Sequence, residues 1–201
     1  MHEIEGLLSK VKMDKQYRDK KQKVRFSLKW SLLLGATTNA ANIPAFPTLH
    51  NFKKGRGVCT TPVEDRNLPM WKKDLWRQSA ELIRLIDPDF AAGEYVVNYA
   101  CMEGGKDHYV KKHVDKDDIS FQYALALGAY QGAVLRTYAA DGETVLGDFD
   151  YRYRVCKMDG RLPHELVLNN FTGTRFCVIW FKSYDARKMQ PDPIFDNPCF
   201  V

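Results

Sequence analysis

The sequence predicts a mainly β chain with supporting helices, folded as a double-sheet jelly roll, and three features carry that expectation. One amphipathic helical period lies ahead of the middle of the chain, short segments of period two follow it, and glycine-bearing turns separate those segments. Asn67 can cap and Pro69 can open the helix, in which Leu75, Ser79, Leu82, Ile83 and Ile86 share a face before Asp87-Pro88 ends it. Strands are expected over Tyr95 to Tyr99, Phe121 to Leu127, Ala133 to Tyr138, Tyr151 to Met158 and Arg175 to Phe181. Gly128, Asp141-Gly142, Asp159-Gly160 and Thr172-Gly173 supply the turns between them.

Ahead of the helix, Lys10 to Lys29 is dense in Lys and Arg among Tyr17 and Phe26, and Val24 to Leu28 alternates like a strand. Such a run is either a solvated basic face or an arm for nucleic acid. Thr37 to Pro69 is interrupted by Pro44, Pro47, Pro62, Gly55 and Gly57, which predicts a long loop, either a lid or a connector. Residues 1–69 are thus expected to form a basic N-terminal segment and long loop packing on a core made by residues 70–201, one domain overall.

A chain of 201 residues, 45% of them hydrophobic, can bury one core. The formal charge of +5 suits an anionic partner, although most of the excess lies in the first third. Five cysteines (Cys59, Cys101, Cys156, Cys177, Cys199) are odd in number and form no CxxC pair, so a zinc site or disulfide framework is not expected. The longest apolar run, Ser31 to Ala36, is too short for a membrane span, and the N-terminus does not read as a signal peptide. A soluble, monomeric, intracellular protein, cytoplasmic or nuclear, is the expectation.

The candidate chemistry begins at His113-Val114-Asp115. Alternation along an extended chain turns residues two positions apart to the same side, so this imidazole and carboxylate can reach one ion. His164 follows the strand Tyr151 to Met158 after a turn and is the last histidine in the chain. Two imidazoles and one carboxylate on one face of a cation leave three positions open, the arrangement suited to a redox-active iron(II). His-X-Asp alone is a cheap pattern that surface residues readily produce, so the context matters. Arg175 supplies it. This arginine leads the apolar strand Phe176 to Phe181, a costly place for a cation unless it faces an anion, and its planar fork matches a carboxylate.

In order and spacing, His113-X-Asp115, the later His164 and Arg175 resemble the 2-oxoglutarate/iron(II) dioxygenases, over about Tyr95 to Phe181. That resemblance implies a double-stranded β-helix, Fe(II), 2-oxoglutarate as co-substrate, O2, and oxidation of a C–H bond, with His113, Asp115 and His164 as metal ligands and Arg175 as the co-substrate anchor. Asn98-Tyr99 followed by His113-Val-Asp-Lys-Asp-Asp118 is similar to the AlkB-type nucleic-acid demethylases, which makes Asn98 and Tyr99 candidate 2-oxoglutarate contacts and Asp117 a candidate substrate contact. Gly160-Arg-Leu-Pro-His164 and Phe171-Thr-Gly-Thr-Arg175 resemble the TET/JBP-like branch, which oxidises methyl groups on nucleobases. The pattern departs from AlkB-type enzymes in carrying one arginine on the strand after the distal histidine, not two. It also lacks the cysteine-rich zinc region of animal TET enzymes.

Each lesser residue has a plainer role open to it. Asn98 and Tyr99 can be ordinary strand residues. Tyr123 is either a core residue or a 2-oxoglutarate contact, as in some relatives. Asp117 and Asp118 can be solvated loop carboxylates, and His108, beside Lys111-Lys112, is expected on the surface. A methyl group on a nucleic-acid base is the first substrate expected, and a protein side chain such as proline, or a small molecule, comes after it. The alternative outside catalysis is a basic nucleic-acid-binding module with structural histidines.

Overall fold

The computed structural model describes residues 1–11, 17–18, 26–35, 48–51, 59–61, 69–93, 95–116, 118–182 and 191–201. Asn67, Asp117 and most of the Lys10 to Lys29 and Thr37 to Pro69 stretches lie outside these residues. The elements run α1 (His2–Ser9), β1 (Tyr17–Arg18), β2 (Phe26–Leu28), β3 (Trp30–Gly35), β4 (Thr48–Asn51), β5 (Cys59–Thr61), α2 (Met70–Ile86) and α3 (Pro88–Ala92). They continue with β6 (Val96–Glu103), β7 (Tyr109–His113), β8 (Gln122–Leu127), β9 (Tyr130–Tyr138), β10 (Val145–Phe149), β11 (Val155–Met158), β12 (His164–Phe181) and β13 (Cys199–Phe200). No helix among the described residues is long and apolar enough to cross a membrane.

The expected amphipathic helix is α2. Its Leu75, Ser79 and Ile83 are fully buried, and Leu82 and Ile86 are partly buried against the same core. Asp87 ends α2 and also starts the short α3, which was not anticipated: its carboxylate accepts the Phe90 N–H at 2.8 Å, and Pro88 fits a first turn that needs no N–H there.

The strands form two antiparallel sheets that share β12. One has the order β1-β2-β7-β12-β9-β10 and the other β5-β4-β3-β6-β12-β8-β11-β13. Gly128 and Thr172-Gly173, expected as turns between strands, form a corner between the two sheets. Beyond Gly128 the chain passes from the second sheet into the first, and β12 follows it antiparallel across the same bend, with its register shifting between Leu168 and Thr172. Gly128 (φ 104°) and Gly173 (φ 81°) make the crossing possible. A Cβ on Gly128 would lie 2.3 Å from the Thr174 carbonyl oxygen, and one on Gly173 would lie 2.0 Å from that of Ala129.

Alternation divides the second sheet into two faces. Trp30, Tyr99, Tyr123, Leu125, Val178 and Trp180 point to the helices and pack with Leu75, Ile83 and Phe90. Ala100, Met102, Ala124, Ala126 and Cys177 point to the other sheet, toward Leu28, Leu135 and Leu166. His108, expected on the surface, is 7% exposed: its Nδ1 accepts the Glu103 N–H at 2.9 Å, a bond that lets the ring be buried neutral.

Candidate active site

A cavity of about 720 Å³ lies between the two sheets. It falls in the range of pockets that take small organic ligands, roughly 300–1,000 Å³. His113, at the end of β7, is paired in register with His164, the first residue of β12. Cross-strand pairing therefore brings together two imidazoles 51 positions apart in sequence, with ring centroids 4.3 Å from each other. Asp115 stands between them: Oδ1 is 3.7 Å from His113 Nε2, and Oδ2 is 3.6 Å from His164 Nε2. The three donor atoms all lie within 4.8 Å of one another.

Each ring is oriented by the chain just before it. His113 Nδ1 donates to the Lys111 carbonyl at 2.7 Å, and His164 Nδ1 donates to that of Leu162 at 2.9 Å, because a carbonyl only accepts. That sets Nε2 as the lone-pair nitrogen on both rings and turns it toward Asp115. Three donors about 2.1 Å from one cation at right angles would sit about 3 Å apart, so the observed spacings fit an ion after shifts of under about 1 Å. Two imidazoles and one carboxylate on one side are the donor set of non-haem iron(II).

Arg175 lies at the other end of the cavity. In a straight strand the eleven steps from His164 to Arg175 would span roughly 36 Å, but the corner in β12 lets both residues line one space. Arg175 is 3% exposed, and its Nη2 donates to the Tyr151 hydroxyl. Among the described residues no carboxylate pairs with it, and its buried Nε has no hydrogen-bond partner. A buried guanidinium with an orphaned donor fits a carboxylate-bearing ligand. Between arginine and donors the floor is low, because Ala100 and Cys177, opposite each other in register, both line the cavity.

The expected co-substrate contacts separate. Asn98 lines the cavity, and its Oδ1 accepts from Ser31 Oγ at 2.9 Å, which leaves the amide N–H groups for a ligand. Tyr99, its neighbour, faces the helices and donates to Ser79 Oγ at 2.9 Å, since adjacent strand residues point oppositely. Tyr123 is also on the helix side, with its hydroxyl on Asp87 Oδ2 at 2.5 Å and its ring edge-on to Phe90. Neither of these tyrosines lines the cavity.

Other residues take part that the motifs did not announce. Tyr151 is buried against Arg175. Gln122, from β8, donates through Nε2 to Asp115 Oδ2 at 3.0 Å and to Asp118 Oδ2. Asp118, expected to be solvated, is 7% exposed. Burial, and next the charge of Asp115, push its carboxyl up to about 8 against the opposing Gln122 hydrogen bond. The alternation Gln122-Tyr123-Ala124 contained a signal for Gln122, because a polar residue on the small-residue face of an apolar strand points into something that hydrogen-bonds it.

Two sheets that share a long corner strand make a double-stranded β-helix, and the His-Asp-His cluster and the buried arginine line the one cavity between them. No family model and no curated protein sequence matches the chain. Among solved structures, an oxidoreductase of the 2OG-Fe(II) oxygenase family from Burkholderia pseudomallei superposes with a TM-score of 0.52 at 14% identity, covering 90% of this chain and 78% of that one. NgTET1 in complex with 5mC DNA (TM-score 0.44, 15% identity, 94% and 68% covered) and a bsmA homologue from Methylobium petroleophilum PM1 (0.44, 14%, 90% and 81%) are more distant. The first likeness establishes the fold.

Proposed function

We propose that the protein is an Fe(II)- and 2-oxoglutarate-dependent dioxygenase, and the observation that carries this is the cross-strand pair His113–His164 with Asp115 between them, in one cavity with the buried Arg175. Iron(II), when bound, would supply open positions for 2-oxoglutarate and O2, and O2 is the oxidant: one of its atoms goes into succinate as 2-oxoglutarate loses carbon dioxide, and the other turns a substrate C–H into C–OH. His113, Asp115 and His164 hold the metal from one side. Arg175 takes the far carboxylate of 2-oxoglutarate as a planar pair, and Tyr151, already on Nη2, keeps the guanidinium from turning. Ala100 and Cys177 leave room for the chain of the co-substrate, and Val110, Leu135 and Leu166 exclude water beside it. Asn98 offers its amide to the co-substrate or to the group being oxidised.

The substrate class favoured is a methylated nucleic-acid base. It is supported by the net charge of +5 and by the exposed Lys112 and Lys116 lining the cavity beside the donor cluster, where they would meet phosphates. Succinate release tests the reaction. Wild-type protein should turn over 2-oxoglutarate only with iron, and Asp115→Ala should lose at least about 100-fold of that rate; an Asp115→Ala protein at full rate ends the ligand assignment. Mass spectrometry on methylated oligonucleotides and on proline-bearing peptides assigns the substrate, and oxygen gained by peptides alone would replace the nucleic-acid reading with protein hydroxylation.

A further inference from the structure

Gln122 has no place in the motifs, yet it joins two acidic side chains beside the His-Asp-His cluster. It is 3% exposed, on a strand position that faces the donor cluster, and both of its Nε2 hydrogens are engaged, on Asp115 Oδ2 at 3.0 Å and on Asp118 Oδ2 at 2.5 Å. In this orientation one amide nitrogen serves an oxygen of each acid, and Asp115 in particular receives a donor. Gly160 makes room for it. A Cβ there would lie 2.1 Å from Gln122 Nε2 and 3.1 Å from Asp118 Oδ2, so the amide rests against a bare α-carbon. The same Gly160 accepts the Asp115 N–H through its carbonyl at 2.8 Å. Asp115 is thus held by its backbone from Gly160 and by its side chain from Gln122, whereas each histidine is held by a carbonyl two residues earlier.

We propose that Gln122, anchored by Asp118, is a positioning residue that fixes the Asp115 carboxylate for metal binding, an inference that rests on the metal reading above. A carboxylate on a two-bond side chain can rotate and offer either one oxygen or two to a cation. The hydrogen bond to Oδ2 restricts that rotation and directs Oδ1 toward the side of His113. Asp118 serves as the acceptor that holds the second Gln122 hydrogen and so keeps the amide from swinging away. Outer partners of this type change metal affinity by about 10- to 100-fold when removed.

Anaerobic titration with Co(II), read by its visible ligand-field absorption, tests this without turnover. Gln122→Met keeps the length and apolar volume and removes the N–H donor; it should weaken Co(II) binding about 10- to 100-fold and alter the spectrum. The unfolding midpoint of the metal-free chain should fall, because the buried Asp118 carboxyl loses its donor, while the folded chain should keep its 2-oxoglutarate KM near wild type at saturating metal. Asp118→Ala, read in the same way, should give a smaller loss, and it decides the matter should Gln122→Met fail to fold. Wild-type affinity and an unchanged spectrum in a folded Gln122→Met protein overturn the positioning role and leave the oxygenase reading standing. A wild-type chain that binds no Co(II) overturns both.

Discussion

The two faces of the second sheet are built from the same strands and do opposite work. Toward the helices, Trp30, Tyr99, Leu125, Val178 and Trp180 are large and fully buried or nearly so, and they fill space. Toward the other sheet, the alternating positions include Ser31, Asn98, Ala100, Gln122, Arg175 and Cys177, whose small or polar side chains leave space among apolar ones such as Met102 and Ile179. Within β12 the contrast falls five residues apart, from Arg175 to Trp180. A strand with period two can therefore put its stability on one side and its binding groups on the other, and a substitution should disturb one with little effect on the other.

The largest separation is expected at Trp180, whose indole is fully buried and donates to the Ser79 carbonyl at 3.1 Å. Trp180→Ala should cost about 3–5 kcal/mol of unfolding free energy in denaturant titration. A loss of under about 1 kcal/mol would show that the helix-side face is not the supporting core. Arg175→Met should show the converse. Loss of a charge-assisted pair worth about 1.5–3 kcal/mol raises the half-saturating 2-oxoglutarate concentration about 10- to 100-fold. Stability should hold or rise, because a buried cation without a carboxylate partner is removed. An unfolded Arg175→Met chain, or one with wild-type 2-oxoglutarate affinity, would break the division.

The smallest effect is the sharpest comparison, since it sets tyrosines on the two faces against each other. Tyr151→Phe removes the hydroxyl that Arg175 grips and should raise the 2-oxoglutarate KM about 2- to 10-fold, less than loss of the guanidinium itself because the charge remains and only its orientation is loosened. Tyr99→Phe removes a bond to Ser79, should cost about 1 kcal/mol of stability, and should leave that KM unchanged. Equal KM changes in the two variants would mean that both hydroxyls reach the co-substrate.

The His113-Asp115-His164 cluster and the buried Arg175 were legible because their chemistry is unusual where they stand: an imidazole and a carboxylate two positions apart, and an arginine opening an apolar strand. Tyr99 and Tyr123 were each open to two roles, and both lie on the helix-side face. The adjacency of Asn98 and Tyr99 already forbade both from facing one ligand, and Tyr123 does share a face with Leu125 as alternation requires, but that face packs on α2 and α3. Gly128 and Gly173 read as turns because glycine marks both a turn and a close crossing of backbones, and only the carbonyls facing them tell the two apart. Tyr151, Gln122 and Asp118 act through partners that lie between 4 and 26 residues away, in spatial relations no local spacing contains.

Residue order is enough to sort side chains into two sides of each strand and to supply donors of the right kind, because backbone geometry makes the pleat period two whatever surrounds it. It does not say which side becomes the cavity, since alternation is symmetric. That choice was made by packing: the helices cover the face of greater apolar bulk, and the corner in β12 folds His164 and Arg175 around the other.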